Sequence, residues 1–346
     1  FDVVIGNPPY GAEIEKNELS VIKKKLFDTN NSNSAALFID FGINRWKKEK
    51  GTVSFIVPKS LLYSERWFSL VKKMAIKTKV IVDVEKAFQN VKLEQVVFVY
   101  GKLPSDLYNA KKFKEDKFIN NILINVKEIE KYKAWLCDVS EDELKIANKI
   151  ITNSLLLETI SETKRGYALQ KQIKESGNVK IIGGKNLKRF YVEGQKGFIS
   201  DKALAREGIK DSFIKSKKIM SQNIVAHIQN PRPHMMIISA LDQEGGTVNL
   251  DTINNTIILN DDYDYKYILA LLNSKLINWY AYKFIYCAAI RTMHLDSYYI
   301  GKIPICIKTK ENLNGYNQIV NLTEKILKNR KDNDIKKLDE IINLYY

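Results

Sequence analysis

The chain opens with a short apolar run, Phe1-Asp2-Val3-Val4-Ile5, that stops at Gly6 and passes straight into Asn7-Pro8-Pro9-Tyr10. A brief β-branched run ended by a glycine reads as a buried parallel strand. In an open α/β sheet, ligands bind beyond the carboxyl ends of the strands, so the residues after Gly6 stand where a site belongs. Pro8 pushes Asn7 into an extended conformation, and Pro8 and Pro9 fix their own φ and carry no N–H. The result is a stiff corner presenting two acceptors, the Asn7 side-chain oxygen and the Pro8 carbonyl, with few donors to compete for them.

The next hundred residues supply a sheet for that corner. Residues 34–50 have helical spacing, with Leu37, Phe41 and Trp46 on one face, Ser34 able to cap and Gly51 as the stop. Residues 52–57 read as a strand ended by Pro58, 60–77 as a second helix, and 79–84 and 94–101 as further strands. Such alternation predicts a doubly wound α/β sheet over 1–103. After Pro104 the pattern changes. Residues 104–151 are rich in Lys and Asn and read as a connector with one helix near 141–153. From about 152 to 346 strands and loops mix, punctuated by Gly183-Gly184, Gly194, Gly197 and Gly245-Gly246. A helix is expected over 265–284, and an amphipathic helix from about 316 with Ile319, Leu322 and Ile326 on one face. This second region reads as a mixed α+β domain.

Composition narrows the class. Hydrophobic content of 45% suits a soluble globular protein; no apolar run is long enough to span a membrane and no signal peptide is visible. The first residue is Phe1, inside an apolar run, so the sequence is expected to begin partway through a longer protein. Cys137, Cys287 and Cys306 show no CxxC pairing and read as reduced thiols of a cytoplasmic protein. His227, His234 and His294 form no ligand-like cluster, and no metal is expected. Net charge is +15, unevenly spread: residues 1–103 carry +6, and residues 164–235 carry 16 basic and 5 acidic groups, +11. A concentration of that kind is the footprint of a polyanion partner, although an ordinary solvated surface explains the charge equally well taken alone.

The corner suits one kind of chemistry. An exocyclic amine conjugated to a purine is a poor nucleophile. Two acceptors gripping its hydrogens draw it towards a tetrahedral nitrogen and raise the electron density of its lone pair, an electrostatic preorganisation. Tyr10 adds a flat ring at the same loop. A base inside a duplex is out of reach until it is swung out and held by stacking, worth about 1–3 kcal/mol per base.

At these residues the sequence resembles the S-adenosylmethionine-dependent N6-adenine DNA methyltransferases of restriction–modification systems, and among them the Eco57I-type branch with a TaqI-like C-terminal specificity domain. FDVVIGNPPYG is similar to that family's catalytic motif, which implies that Asn7 and Pro8 bind the adenine amine and Tyr10 stacks on the flipped base. GTVSFIVPKSLL (51–62) resembles the strand and turn that follow, and VEKAFQNVKLEQVVFVY (84–100) the later segment whose aromatic packs on the other face of the base, here Phe88. In the second half, IIGGKNLKRFYVEG (181–194), KKIMSQNIVAHI (217–228), LLNSKLINWYAYKF (271–284) and SYYIGKIPI (297–305) resemble successive segments of the specificity domain. The resemblance implies the C-terminal half of a Rossmann-like methyltransferase sheet, then a target-recognition domain. One departure stands out: the glycine-rich turn of the family's cofactor half is absent before residue 7, so S-adenosylmethionine is expected only in the intact protein.

The partner implied is double-stranded DNA. Lys185, Lys188, Arg189, Lys215, Lys217, Lys218, Arg232 and Arg291 are the candidate contacts, lysines on phosphates and Arg189, Arg232 and Arg291 on base edges. Glu143-Leu144-Lys145 has a nuclease-like ExK spacing without a partner carboxylate. Two other readings stay open. One is a DNA-binding specificity module without catalysis, the other an NPPY methyltransferase acting on RNA guanine or protein glutamine.

Overall fold

The computed structural model describes residues 1–346 except 12–13, 26–32, 89–90, 102, 207–213 and 292. The chain divides into two compact units, Phe1–Lys145 with Tyr282–Arg291, and Ile146–Ala281 with Thr292–Tyr346.

The first unit is built on a six-stranded mixed sheet. Its strands are β1 (Val3–Gly6), β2 (Thr52–Pro58), β3 (Thr78–Asp83), β4 (Gln95–Tyr100), β5 (Leu107–Lys114) and β6 (Lys117–Asn125), in the order β1-β2-β4-β3-β5-β6. β1 and β2 are parallel, and so are β3 and β5. β4 is antiparallel to both of its neighbours because the link from β3 doubles straight back, inserting β4 between β2 and β3. Helices α1 (Lys16–Lys25), α2 (Ser34–Phe41) and α3 (Glu65–Ala75) accompany the first strands, followed by α4 (Lys127–Tyr132) and α5 (Glu141–Thr152). Val53, Phe55, Val57, Ile81, Val96 and Phe98 alternate inward to form the core, with Phe55 and Phe98 edge to face at 6.0 Å. The Phe55 ring also explains two glycines. A Cβ on Gly42 would stand 3.0 Å from it and one on Gly6 3.2 Å, so the helix and the strand leading into the Asn7 corner both close down on that ring.

Two expectations change here. β1 is parallel but is not a buried central strand: it is the outer strand of the sheet, with Val3 56% and Ile5 78% exposed. Residues 104–151 are not a connector. The hairpin β5–β6 extends the sheet, and Tyr108, Ala110 and Ile124 are buried in it. Asn109, Lys111 and Asn121 occupy the other face, the alternation of a half-solvated antiparallel pair, while Lys112 and Asn120 continue the inward face and are part-buried with partners there. The expected helix over 60–77 is a 3-10 turn at Lys59–Leu62 followed by α3.

The second unit contains a four-stranded antiparallel sheet, ordered 239–242, 218–222, 253–258, 161–165, and a three-stranded sheet ordered 197–199, 179–182, 247–249. The helix expected over 265–284 is two, Tyr265–Leu272 and Lys275–Tyr280, because Ser274 caps the second by accepting the Ile277 N–H. The C-terminal tail is a pair of helices, Leu313–Lys328 and Asp332–Tyr345. Ile319 and Ile326 of the first are buried. Among the described residues no helix is long and apolar enough to cross a membrane.

Candidate active site

The Asn7–Tyr10 corner leaves β1 at its carboxyl end, and Ser34 holds it. Sequence reasoning gave Ser34 the role of helix cap, but Asn33 caps α2, accepting the Ala35 N–H at 2.9 Å. Ser34 instead donates its hydroxyl to the Pro9 carbonyl at 2.7 Å and accepts the Gly11 N–H at 3.1 Å. Gly11 has φ +77°, a left-handed turn that lets the chain leave the corner. Tyr10 is half-buried and donates to the Ile56 carbonyl of β2 at 3.2 Å; burial raises its hydroxyl pKa. The ring is therefore tethered at its far end to the neighbouring strand. Pro8 is buried, whereas Asn7 is exposed and makes no hydrogen bond among the described residues. Its amide stands open to a ligand.

Beside the corner lies a pocket of about 200 Å³, lined by Tyr10, Lys59, Tyr63, Leu93, Glu94 and Arg291 among others. That is below the roughly 300–1,000 Å³ of sites that enclose a drug-sized ligand and is of the scale of one nucleobase. Asn7 and Phe88 are not among its lining residues. Phe88 lies on the link between β3 and β4, its ring 37% exposed, five residues before Leu93. No ring contact joins it to Tyr10 among the described residues.

Sequence reasoning missed the floor of this pocket. Lys59 is buried and its ammonium has three neighbours: Asp83 Oδ2 at 2.8 Å, the Ala288 carbonyl at 2.9 Å, and Glu94 Oε1 at 3.2 Å. The first two are hydrogen bonds; the third is a charge contact without hydrogen-bond alignment. Burial alone would push the Lys59 pKa down, but Asp83 and Glu94 outweigh it and the ammonium is held well above its ordinary value. Glu94 Oε2 accepts the Ile290 N–H at 2.8 Å. Residues 282–291 thus join this unit although they come from far downstream. Spacing could not reveal this, since Lys59 and Ala288 are 229 positions apart. The one signal was that Lys59 follows the carboxyl end of a strand, where sites form.

A second ionic cluster lies on the same unit. Lys112 pairs with Asp138 at 2.7 Å and Glu85 at 3.0 Å. Burial works to raise the Asp138 pKa, but Lys283 and Lys112 hold it below the ordinary range. Glu143 of the ExK motif accepts the Ser140 N–H at the start of α5 and pairs with Lys283 at 3.3 Å, while Lys145 pairs with Asp142.

In the second unit the basic candidates divide. Lys218 is a correction: it is buried at the start of a strand whose first four residues are all buried, paired with Asp242 at 2.9 Å and donating to the Ile214 carbonyl. Arg189 is another. Its guanidinium donates to the Asn273 carbonyl at 2.6 Å and stands 4.0 Å from Asp339, so its donors serve its own unit. Lys217 lies over the Tyr265 ring at 4.7 Å, and Lys188 is half-exposed with Glu193 at 3.4 Å. Lys185, Lys215 and Arg232 are exposed. Arg291 belongs to the first unit, at the pocket.

A mixed α/β sheet thus carries the Asn-Pro-Pro-Tyr corner at a strand end, and the chain also holds a separate mixed unit. The Eco57I restriction-modification methylase family matches residues 1–89, and the TaqI-like C-terminal specificity domain matches residues 179–305. By these two matches the chain is similar to restriction–modification methyltransferases. A protein of Methanocaldococcus jannaschii described as a type II restriction enzyme and methyltransferase is 25% identical over 382 aligned positions, covering 99% of this chain and 30% of that protein. The Type IIL restriction–modification enzyme MmeI, solved in complex with DNA, shares the fold with a TM-score of 0.54 at 10% identity, over 99% of this chain and 53% of that one. The chain thus spans about a third of the length of the curated relative it matches and about half of the MmeI chain.

Proposed function

We propose that this chain carries the target-base site and the DNA-reading domain of an adenine-specific DNA methyltransferase, modifying N6 of an adenine extruded from double-stranded DNA. The observation that supports this most is the corner itself. Asn7 stands open, without a hydrogen-bond partner among the described residues, on a loop fixed by Ser34, next to a base-sized pocket walled by Tyr10. Asn7 Oδ1 and the Pro8 carbonyl accept the two amine hydrogens, and Tyr10 stacks on the ring. Phe88, on the link that also supplies Leu93 and Glu94, is the second ring, closing on the base once it enters. The amine needs no strong base beforehand, since its proton leaves as the new bond forms.

The methyl group comes from S-adenosylmethionine when the cofactor is bound. The residues described here do not form its cradle: β1 is the sheet's outer strand, with Val3 and Ile5 exposed, and no glycine turn into a helix accompanies it. Lys185, Lys188, Lys215, Lys217 and Arg232 are the DNA contacts of the second unit, the lysines on phosphates and Arg232 on a base edge. The +11 concentrated in residues 164–235 supports a polyanion partner.

Offering duplex DNA, RNA and peptide to the full-length protein with labelled S-adenosylmethionine tests the reading. Label in N6-methyladenine of duplex DNA is the expected result, and label confined to RNA or peptide overturns it. Tyr10 has its own test, 2-aminopurine fluorescence at the target position. Tyr10→Phe keeps the ring and loses only the bond to Ile56, so extrusion should persist. Tyr10→Ala should weaken the grip on the extruded base by about 1–3 kcal/mol.

A further inference from the structure

Arg291 does not behave as a residue of the domain its sequence neighbours belong to. The chain leaves the second unit after Ala281, packs residues 282–291 into the first, and returns. The excursion is firmly seated: Phe284, Tyr286, Cys287, Ala288 and Ala289 are all buried, and Cys287 and Ala288 take left-handed φ of 49° and 54° to make the turn. Lys59 and Glu94 fasten it through the Ala288 carbonyl and the Ile290 N–H. The residue after that last bond is Arg291. It is exposed, lines the pocket with Tyr10, and has no carboxylate partner among the described residues. A guanidinium so placed is a cation held by its backbone, with its five donors unspent. Its charged neighbours in the pocket wall, Lys59 and Glu94, are buried and paired with each other, and Tyr10 and Tyr63 supply the rings. The remaining ligand group that an extruded nucleotide brings to such a mouth is its backbone phosphate, whose two non-bridging oxygens the planar guanidinium matches bidentately.

We infer that Arg291 clamps the DNA phosphodiester beside the extruded adenine, and that the Lys59–Glu94 pair is the anchor that delivers it there. This rests on the proposal that the pocket receives an extruded base, and it moves Arg291 from reading a base edge in the groove to holding the backbone at the site of chemistry. Arg291 is then a phosphate contact for the target nucleotide, and Lys59 and Glu94 are positioning residues.

The test uses Arg291→Ala in the full-length protein. Because the side chain is exposed, folding should be unaffected. The KM for DNA should rise about 10-fold or more, with site preference unchanged. The slope of log affinity against log salt should shrink by about one. A methylphosphonate at a phosphate flanking the target adenine should weaken the wild type by a similar factor and the variant no further. Unchanged KM and slope overturn the inference. So does relaxed preference at one base pair with the slope intact, which assigns Arg291 to base reading, and so does a rise in the KM for S-adenosylmethionine alone. Whether the wild type methylates adenine at all reports on the pocket; the slope comparison is a binding measurement and reports on Arg291 independently.

Discussion

Asn7→Ala in the full-length protein is expected to lower kcat for methyl transfer about 100- to 1,000-fold, the scale seen when one preorganised hydrogen-bonding group is removed from a site of developing charge, while duplex affinity is retained. The structure gives a reason to expect so clean a separation. The corner is held by the Ser34 bonds to Pro9 and Gly11 and by the Tyr10 bond to Ile56, none of which involves the Asn7 amide. Alanine at position 7 therefore removes an acceptor without loosening the loop. Most of the binding energy for duplex DNA comes from phosphate contacts elsewhere. Single-turnover methylation and anisotropy on the same duplex measure the two quantities. Undiminished transfer would falsify the role given to Asn7, and a parallel loss of affinity would show instead that the amide binds the ground state.

The second large effect is structural. Lys59→Met is expected to destabilise the first unit by about 3–5 kcal/mol, the cost of leaving a buried charge without its partner. Asp83 and Glu94 would face each other across an apolar side chain, and the Ala288 carbonyl would lose its donor. The sign with pH follows from the direction of the shift. The folded-state pKa of Lys59 lies above its ordinary 10.5, so its contribution is fully present below 10.5 and fades only as pH rises through the folded value. Lys59 itself therefore adds no pH dependence to the gap between wild type and variant from pH 6 to 9. Three of the four tryptophans, Trp46, Trp67 and Trp135, belong to this unit and Trp279 to the other, so the fluorescence transition on heating, measured in a Trp279→Phe background, reports the first unit. Adding Asp83→Asn and Glu94→Gln should recover part of the loss, because the stranded charges are then gone. If the midpoint does not move in Lys59→Met, the cluster is not the anchor described above.

Much of the first unit was legible without coordinates, and for definite reasons. Strand runs such as 52–57 and 94–101 carry their own pattern of β-branched residues bounded by Gly and Pro, and the corner is a tetrapeptide whose stiffness is local covalent geometry. Residues 104–151 were misread because composition averages over two faces. Asn109, Lys111 and Asn121 on one face masked the buried Tyr108, Ala110 and Ile124 on the other. Lys217 and Lys218 show the same limit at single-residue scale. Adjacent identical side chains meet different surroundings because the strand, buried on both faces, begins only at Lys218: Lys217 lies over the Tyr265 ring and Lys218 pairs with Asp242 in the interior.

What the sequence alone determined about this protein is the part written in neighbouring residues: an α/β unit, a rigid Asn-Pro-Pro-Tyr corner at its first strand end, and a basic second half. What only the tertiary structure decided is which distant groups meet there. Lys59, Asp83, Glu94 and the excursion ending at Arg291 come together across up to 229 positions. Chain folding brings them together through burial and charge pairing, neither of which leaves a periodic trace along the chain.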